Sequence, residues 1–317
     1  DQDFRLASTI PASQMNEKPI VLEGVASPLI GMLHPASGKQ ETGVLMMVAG
    51  GPQYRIGGHR QLVLWARKFS SQGFPVLRFD FSGMGDSYGE YVEFEDTEAD
   101  ILVALDRFFA ETPTLKQVVL WGECNASSSS LLFAHKDSRV KGIVMINPWV
   151  RTEQGQAKAV VKHYYLDRLK QRSFWVKVFS LKFDFIGSMK SALQMISLAR
   201  GQRTSDLEIN KNSAMVEVDR SKPLPDRMLD GLSRFKGRIM LVMSGRDMIS
   251  KEFDDLLQAV PAWQEHLAAC AMVRHDLQYA DHTFSSSAWR DQVAERGIGW
   301  LASLPAVQNN QINQAVR

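Results

Sequence analysis

The sequence predicts an α/β fold with a mostly parallel central sheet flanked by helices. Two patterns carry that expectation. Short β-type apolar runs alternate with amphipathic stretches along most of the chain, and several of the runs are apolar throughout, as strands covered on both faces must be. The alternation also stops between Arg151 and Pro225, which marks an insertion rather than a second repeat of the same architecture. Length agrees, because 317 residues at about 150 per domain make two domains, or one large α/β domain carrying an insertion.

Taken in order, Ile20 to Val25 and Pro28 to His34 read as an opening hairpin-like pair, and Gly43 to Gly51 (GVLMMVAGG) as a buried strand ending in glycines. His59 to Gly73 places Leu62, Trp65, Ala66 and Phe69 at helical spacing, with Gly73 as the stop. Phe74 to Asp80 returns as a strand. A helix is expected over Thr97 to Ala110, with acidic residues at its start where the helix dipole favours them. Gln117 to Gly122 is a short apolar strand followed by CNASSSSLLFAHK, whose small residues let a helix approach a sheet closely; Lys141 to Val150 is a further strand. Strand logic resumes over Gly237 to Asp247 and Ala269 to Leu277, and a last helix is expected near Ser286 to Leu301. The organisation predicted is an N-terminal extension (1–19), a core from 20–150 and 226–304, a helical cap inserted at 151–225, and a polar tail (305–317).

Composition narrows the function classes. The 37 Lys+Arg against 35 Asp+Glu leave a net charge of +2, with 44% hydrophobic and 23% charged residues, so global charge gives no reason to expect a nucleic-acid or membrane partner. Two cysteines, Cys124 and Cys270, form at most one bridge, which rules out a disulfide framework and fits a reducing compartment. No apolar run reaches the roughly 18 residues of a membrane helix, and the first residues lack a charged segment followed by an apolar one, so a cytoplasmic protein is expected.

The most informative stretch is Gly122-Glu123-Cys124-Asn125-Ala126, where a strand runs straight into a helix. This is the spacing of a nucleophile elbow, a strained turn on which small residues two before and two after the nucleophile leave room for strand and helix to meet. A cysteine at a helix start also has its thiolate favoured by the helix dipole and the free backbone N–H groups. A lone Cys is otherwise a small buried hydrophobe, so the assignment needs partners. Asp247, at the end of an apolar run, and His282, in the loop before the last helix, follow Cys124 in the order nucleophile, acid, histidine. Taken singly, Asp247 also fits a turn or N-cap and His282 a plain loop. Together they make Cys124, Asp247 and His282 the candidate catalytic residues. An oxyanion hole would take the N–H of Asn125 and one from the loop after the third strand; Pro52 has no N–H, which leaves Gly51, with Gln53 as the fallback.

The glycine loop after the third strand, RFDFSGMGDS, GECNA and ADHTF together resemble the α/β-hydrolase superfamily from about Ile20 to Leu304, and the cysteine at the elbow resembles dienelactone hydrolases, which use a Cys-His-Asp triad. GGPQYRIGGHRQ, LWGECNASSS, NPWVR and KHYYLDRL are similar to the first type of exosortase A system-associated hydrolase, bacterial proteins encoded near exopolysaccharide and protein-sorting genes. The resemblance implies the α/β-hydrolase fold with a helical cap and an acyl-enzyme hydrolase of esters, thioesters or lactones, with a link to exopolysaccharide metabolism. The chain departs from the superfamily in having Ala49-Gly50 where a His-Gly pair is common. An acyltransferase using the same nucleophile, or a non-catalytic binding module, are the competing readings.

Around this centre, Glu123 either points to solvent or contacts substrate or modulates the thiol, since a carboxylate facing the pocket beside Cys124 would oppose thiolate formation. Tyr54 and Arg55 either border the substrate mouth or pack the loop and the helix N-terminus, and Trp149 and Tyr164 are further candidate substrate-binding residues. Between Lys158 and Arg203 ten basic residues stand against two acidic ones, interleaved with aromatics, which suits either a solvated helical face or an acyl pocket under a basic rim for anionic or saccharide-linked substrates or a membrane surface. The glycines of Gly83 to Gly89 do not follow dinucleotide-loop spacing and read as a turn with Arg78 and Asp80 as structural hydrogen-bonders. Histidines are scattered, so neither a metal nor another cofactor is expected. Cys270 reads as core.

Overall fold

The computed structural model describes residues 16–24, 26–38, 41–49, 53–151 and 221–305. Residues 152–220 of the expected cap, the N-terminal extension up to residue 15, and the tail from 306 lie outside the described residues.

Eight strands form one sheet: β1 (Lys18–Leu22), β2 (Leu29–His34), β3 (Thr42–Met47), β4 (Val76–Phe79), β5 (Gln117–Glu123), β6 (Val140–Ile146), β7 (Arg238–Ser244) and β8 (Val273–Leu277). Their order is β1-β2-β4-β3-β5-β6-β7-β8. β2 pairs antiparallel with both β1 and β4, as the opening hairpin-like pair requires, and every pairing from β4 across to β8 is parallel. β3 and β5 are buried at every position, which explains why their central residues run apolar instead of alternating, with Thr42, Gln117 and Glu123 at the strand ends.

The helices are α1 (Gln61–Ser71), α2 (Glu98–Glu111), α3 (Asn125–Phe133), α4 (Leu224–Arg234), α5 (Met248–Ala259), α6 (Pro261–Ala269) and α7 (Ser287–Ala302). Side chains alternate faces along a strand, so the two faces of β5 show which helices cover which side. Trp121 projects onto α1, with ring centroids 5.5 Å from Trp65 and 4.9 Å from Phe69. On the same side Gly297 of α7 lies so close that a Cβ would stand 2.8 Å from the Trp121 ring. Gly122 faces the other side, where α3 packs with α4 against it. The site is therefore built at the carboxyl ends of β5, β6, β7 and the loop after β8, between two helical layers.

Two differences from the sequence pattern stand out. Residues 269–272 do not belong to the last strand: α6 begins with Pro261 at its first turn, ends at Ala269, and turns through Ala271 at φ 47° before β8 starts at Val273. The apolar run ACAMV mixes a helix end with a strand start, and composition alone cannot divide it. α5 and α6, unassigned by the sequence pattern, fill the connection between β7 and β8.

Candidate active site

β5 ends in a sharp reversal. Cys124 takes φ 54° and ψ −124°, outside the regions that L side chains favour, between the last strand residue and the first residue of α3. The reversal is held by its backbone: Cys124 N–H donates to Ile146 O (2.8 Å), and Cys124 O accepts from Ser127 N (3.1 Å) and Trp149 N (3.2 Å). Ser127 Oγ donates to Gly122 O at 2.8 Å, closing the turn from below. Gly122 is obligatory, because a Cβ there would stand 2.5 Å from the carbonyl carbon and oxygen of Ala126, which are backbone atoms with no room to move. Gly122→Ala is accordingly expected to destabilise the fold by about 3 kcal/mol or to displace the elbow, read as a lowered urea midpoint together with slower alkylation of Cys124.

The structure brings the three candidate catalytic side chains together. His282 Nδ1 lies 2.7 Å from Asp247 Oδ2, and the Cys124 side chain is close enough to the ring to raise its pKa. Cys124 is half-buried and Cys270 buried, both as free thiols, with Cys270 Sγ 3.7 Å from Phe235 O as expected of a core residue. Asp247 has two jobs. It is the N-cap of α5, accepting from Ile249 N–H (3.1 Å) and Ser250 N–H (3.4 Å), and it holds His282. Burial alone would raise the Asp247 carboxyl, but the His282 hydrogen bond, its charge and the two backbone N–H groups hold it below the usual Asp range. Burial works to lower the His282 pKa, yet the hydrogen bond to Asp247, the nearby Cys124 side chain and the charges of both overcome it, and the imidazole is pushed up to about 10. His282 thus keeps its proton at neutral pH.

Asn147 is a site residue that the sequence reading missed. Fully buried at φ 46° after β6, it donates through Nδ2 to Ser244 Oγ (2.9 Å) and to His282 O (2.9 Å). Its Oδ1 accepts from Ser244 N–H (2.8 Å) and from Ser250 Oγ (2.7 Å), beside Asp247. One amide therefore pins the histidine loop to the ends of β6 and β7. The available signal was Asn147 in Asn-Pro directly after an apolar strand, a position that reads first as a turn. Asn147→Ala takes one partner from each of four groups, the Ser244 N–H, the Ser244 and Ser250 hydroxyls and the His282 carbonyl, and is expected to cost about 1–3 kcal/mol in denaturation and to lower kcat/KM by loosening His282.

Other expectations need correction. Glu123 neither points to solvent nor lines the mouth; it is 7% exposed and receives a hydrogen bond from Gln61 Nε2. Arg55 is given over to structure, with its guanidinium on buried Asp80 and 2.8 Å from Asp86, and its backbone N–H 2.5 Å from Asp80 Oδ1. Arg78 donates to His34 Nε2 (2.9 Å) and Arg55 O (2.7 Å), and Asp80 accepts from Asp86 N–H at Oδ2 (3.0 Å) and from Ser87 Oγ at its carbonyl (2.7 Å); both are structural hydrogen-bonders, and it is Asp80 that holds the turn in which Gly83, Gly85 and Gly89 have positive φ. Tyr54 is exposed and donates to Asp86 at 2.8 Å. Trp149 is partly buried beside the elbow, with the Arg151 guanidinium 4.7 Å from its ring centroid. Asn125 is the first residue of α3, directly after Cys124. Gly51 and Tyr164 lie outside the described residues. Among the described residues no cluster of metal-ligating side chains occurs, and no helix is long and apolar enough to cross a membrane.

A strained turn after β5, an acid after β7 and a histidine after β8, on a mostly parallel eight-stranded sheet, follow the plan of the α/β hydrolases, and the chain is an enzyme of that class. It belongs to the serine aminopeptidase S33 family, whose model matches residues 60–279. Among solved structures it is similar to the Pyrococcus furiosus esterase Pf2001 (13% identity, 95% of this chain and 96% of that one, TM-score 0.59). The α/β hydrolase GrgF from Penicillium sp. sh18 (19% identity, 90% and 98%, TM-score 0.56) and the esterase domain of a Rhodothermus marinus protein (16%, 90% and 97%, TM-score 0.53) share the fold too. No match was found among curated proteins.

Proposed function

We propose that the chain hydrolyses an ester, thioester or lactone through Cys124, His282 and Asp247. The observation that carries this reading is the chain of contacts from Asp247 through His282 to a side chain held on a strained elbow. Asp247 orients the imidazole and stabilises its charge; with the proton kept on His282, Cys124 Sγ attacks the acyl carbonyl. The N–H groups of Asn125 and Gly51 receive the oxyanion. His282 then gives its proton to the leaving oxygen or sulfur, the C–O or C–S bond breaks, and an acyl-Cys124 thioester remains. Water, losing a proton to His282, attacks the thioester and releases the acid.

A thioester intermediate is chemically labile, and a cysteine nucleophile favours activated substrates over ordinary amides. Tyr54 and Trp149 are the mouth residues we retain, with Tyr164 and the basic, aromatic segment around it as the wall for an anionic or saccharide-linked acyl group. The similarity to exosortase A system-associated hydrolases supports a substrate connected with exopolysaccharide metabolism, and two free thiols suit the cytoplasm. A panel of activated esters, acyl thioesters, lactones and aminoacyl amides tests the substrate class: turnover of the first three is expected. Efficient amide or peptide cleavage with no ester turnover would overturn it, and a stable acyl-Cys124 discharged only by an added alcohol would make the chain an acyltransferase.

A further inference from the structure

Along the end of β5, Trp121 and Glu123 project from the same face, and there α1 begins. Glu123 meets the first residue of that helix, Gln61, which is 1% exposed, an unusual place for a glutamine. The chain reaches this contact through a tight turn with His59 at φ 51° and Arg60 at φ 60°, two successive non-glycine residues in the left-handed region. Gln61 Nε2 donates to Glu123 Oε2. The other oxygen of each partner, Glu123 Oε1 and Gln61 Oε1, is buried with no hydrogen-bond partner among the described residues. Two acceptors left over on a pair already joined by one N–H bond have a simple remedy. A proton on the carboxyl lets its O–H donate to the amide carbonyl while the amide N–H donates to the carboxyl carbonyl, so both leftover acceptors are satisfied at once.

We propose that Glu123 and Gln61 form a neutral carboxylic acid–amide pair beneath the nucleophile, in which Glu123 is a positioning residue whose deprotonation turns the site down. The proposal rests on the triad reading for its effect on rate, though the pair itself does not. While Glu123 is neutral, Asp247 is the acid that sets the charge on His282. When the Glu123 proton leaves to solvent, a second carboxylate acts on the imidazolium and opposes the negative charge that develops beside Asn125. Burial is the largest influence on the Glu123 carboxyl; His282 favours its ionisation, while Asp247 and Asp281 oppose it, and the balance raises it to about 7. These groups come from α5 and from the loop before α7; Gln61 faces it from α1, and Cys124 adjoins it in the chain.

Glu123→Gln tests the pair, because the new amide reproduces the neutral acid's donor and acceptor at every pH. Infrared difference spectra of the wild type should show a protonated carboxyl band at pH 6 that fades by pH 8 and is missing from Glu123→Gln. Folding linkage gives an activity-free readout. The folded state keeps the proton up to about 7, whereas the unfolded chain releases it near 4.5, so wild-type stability should fall against Glu123→Gln across that window as pH rises. The ratio of kcat/KM at pH 6 to that at pH 8.5 should be about tenfold larger in the wild type than in Glu123→Gln. Should Glu123→Gln fold poorly, Gln61→Met should shift the wild-type carboxyl band by removing its amide partner. No protonated carboxyl band, or a melting difference that does not vary with pH, would overturn the pair, and identical pH profiles of rate would overturn its role at the site. A wild type that never acylates Cys124 fails the triad reading instead, and leaves the infrared and melting results to decide the pair.

Discussion

Cys124→Ala is expected to lower kcat/KM for an activated ester by about 10⁴-fold or more while leaving the unfolding midpoint near that of the wild type. The change removes Sγ and nothing that holds the elbow. The bonds closing that turn run through the Cys124 backbone N–H and C=O and the Ser127 hydroxyl, and all survive the substitution. Residual turnover, if any, reports what the backbone N–H groups and substrate binding contribute without a nucleophile. Initial rates under both saturating and limiting ester, with urea unfolding alongside, separate this loss from misfolding.

Asp247→Asn comes second, with an expected loss of about 10²–10⁴-fold in kcat. The substitution divides the two jobs of Asp247. Asparagine still caps α5, because an amide oxygen accepts from Ile249 and Ser250 N–H as a carboxylate does, but it carries no charge to hold the imidazolium. The His282 pKa, held up to about 10 chiefly through Asp247 and Cys124 against the pull of burial, should fall, and the alkaline limb of the rate profile should move down with it. Stability follows the same sign. A histidine whose folded pKa lies above its ordinary 6.5 contributes fully below 6.5 and loses that contribution as pH rises through about 10. The stability gap between wild type and Asp247→Asn should therefore narrow on going from pH 6 to pH 10. Asp247→Ala, which removes the cap as well, should be the less stable of the two variants throughout.

The sheet was legible in the sequence because central parallel strands must be apolar on both faces, and β3, β5, β6 and β7 carry that pattern close to their observed ends. The elbow was legible because Gly122 and Ala126 are small for a steric reason visible at the spacing itself. Residues that act through long-range contacts were not. Asn147 joins groups 97, 103 and 135 positions away, and nothing local in Asn-Pro distinguishes a turn from an amide that ties three loops together. Arg55 sits next to the oxyanion glycines in the chain, yet its partner Asp80 comes 25 residues later, and that pairing turns it from the substrate mouth. Glu123 was legible as a carboxylate that must face solvent, substrate or the thiol, but not as one buried against a helix, because a charged residue is rarely buried. The alternation from Trp121 was the signal that it faces α1.

The central claim is that Cys124 is a nucleophile driven by His282. Peptide mapping by mass spectrometry after brief exposure to an activated ester tests it most directly, comparing the wild type with His282→Ala. The account predicts an acyl group on Cys124 and none on buried Cys270, with the Cys124 adduct greatly reduced in His282→Ala. Equal modification of both cysteines, unchanged by the histidine substitution, would contradict it.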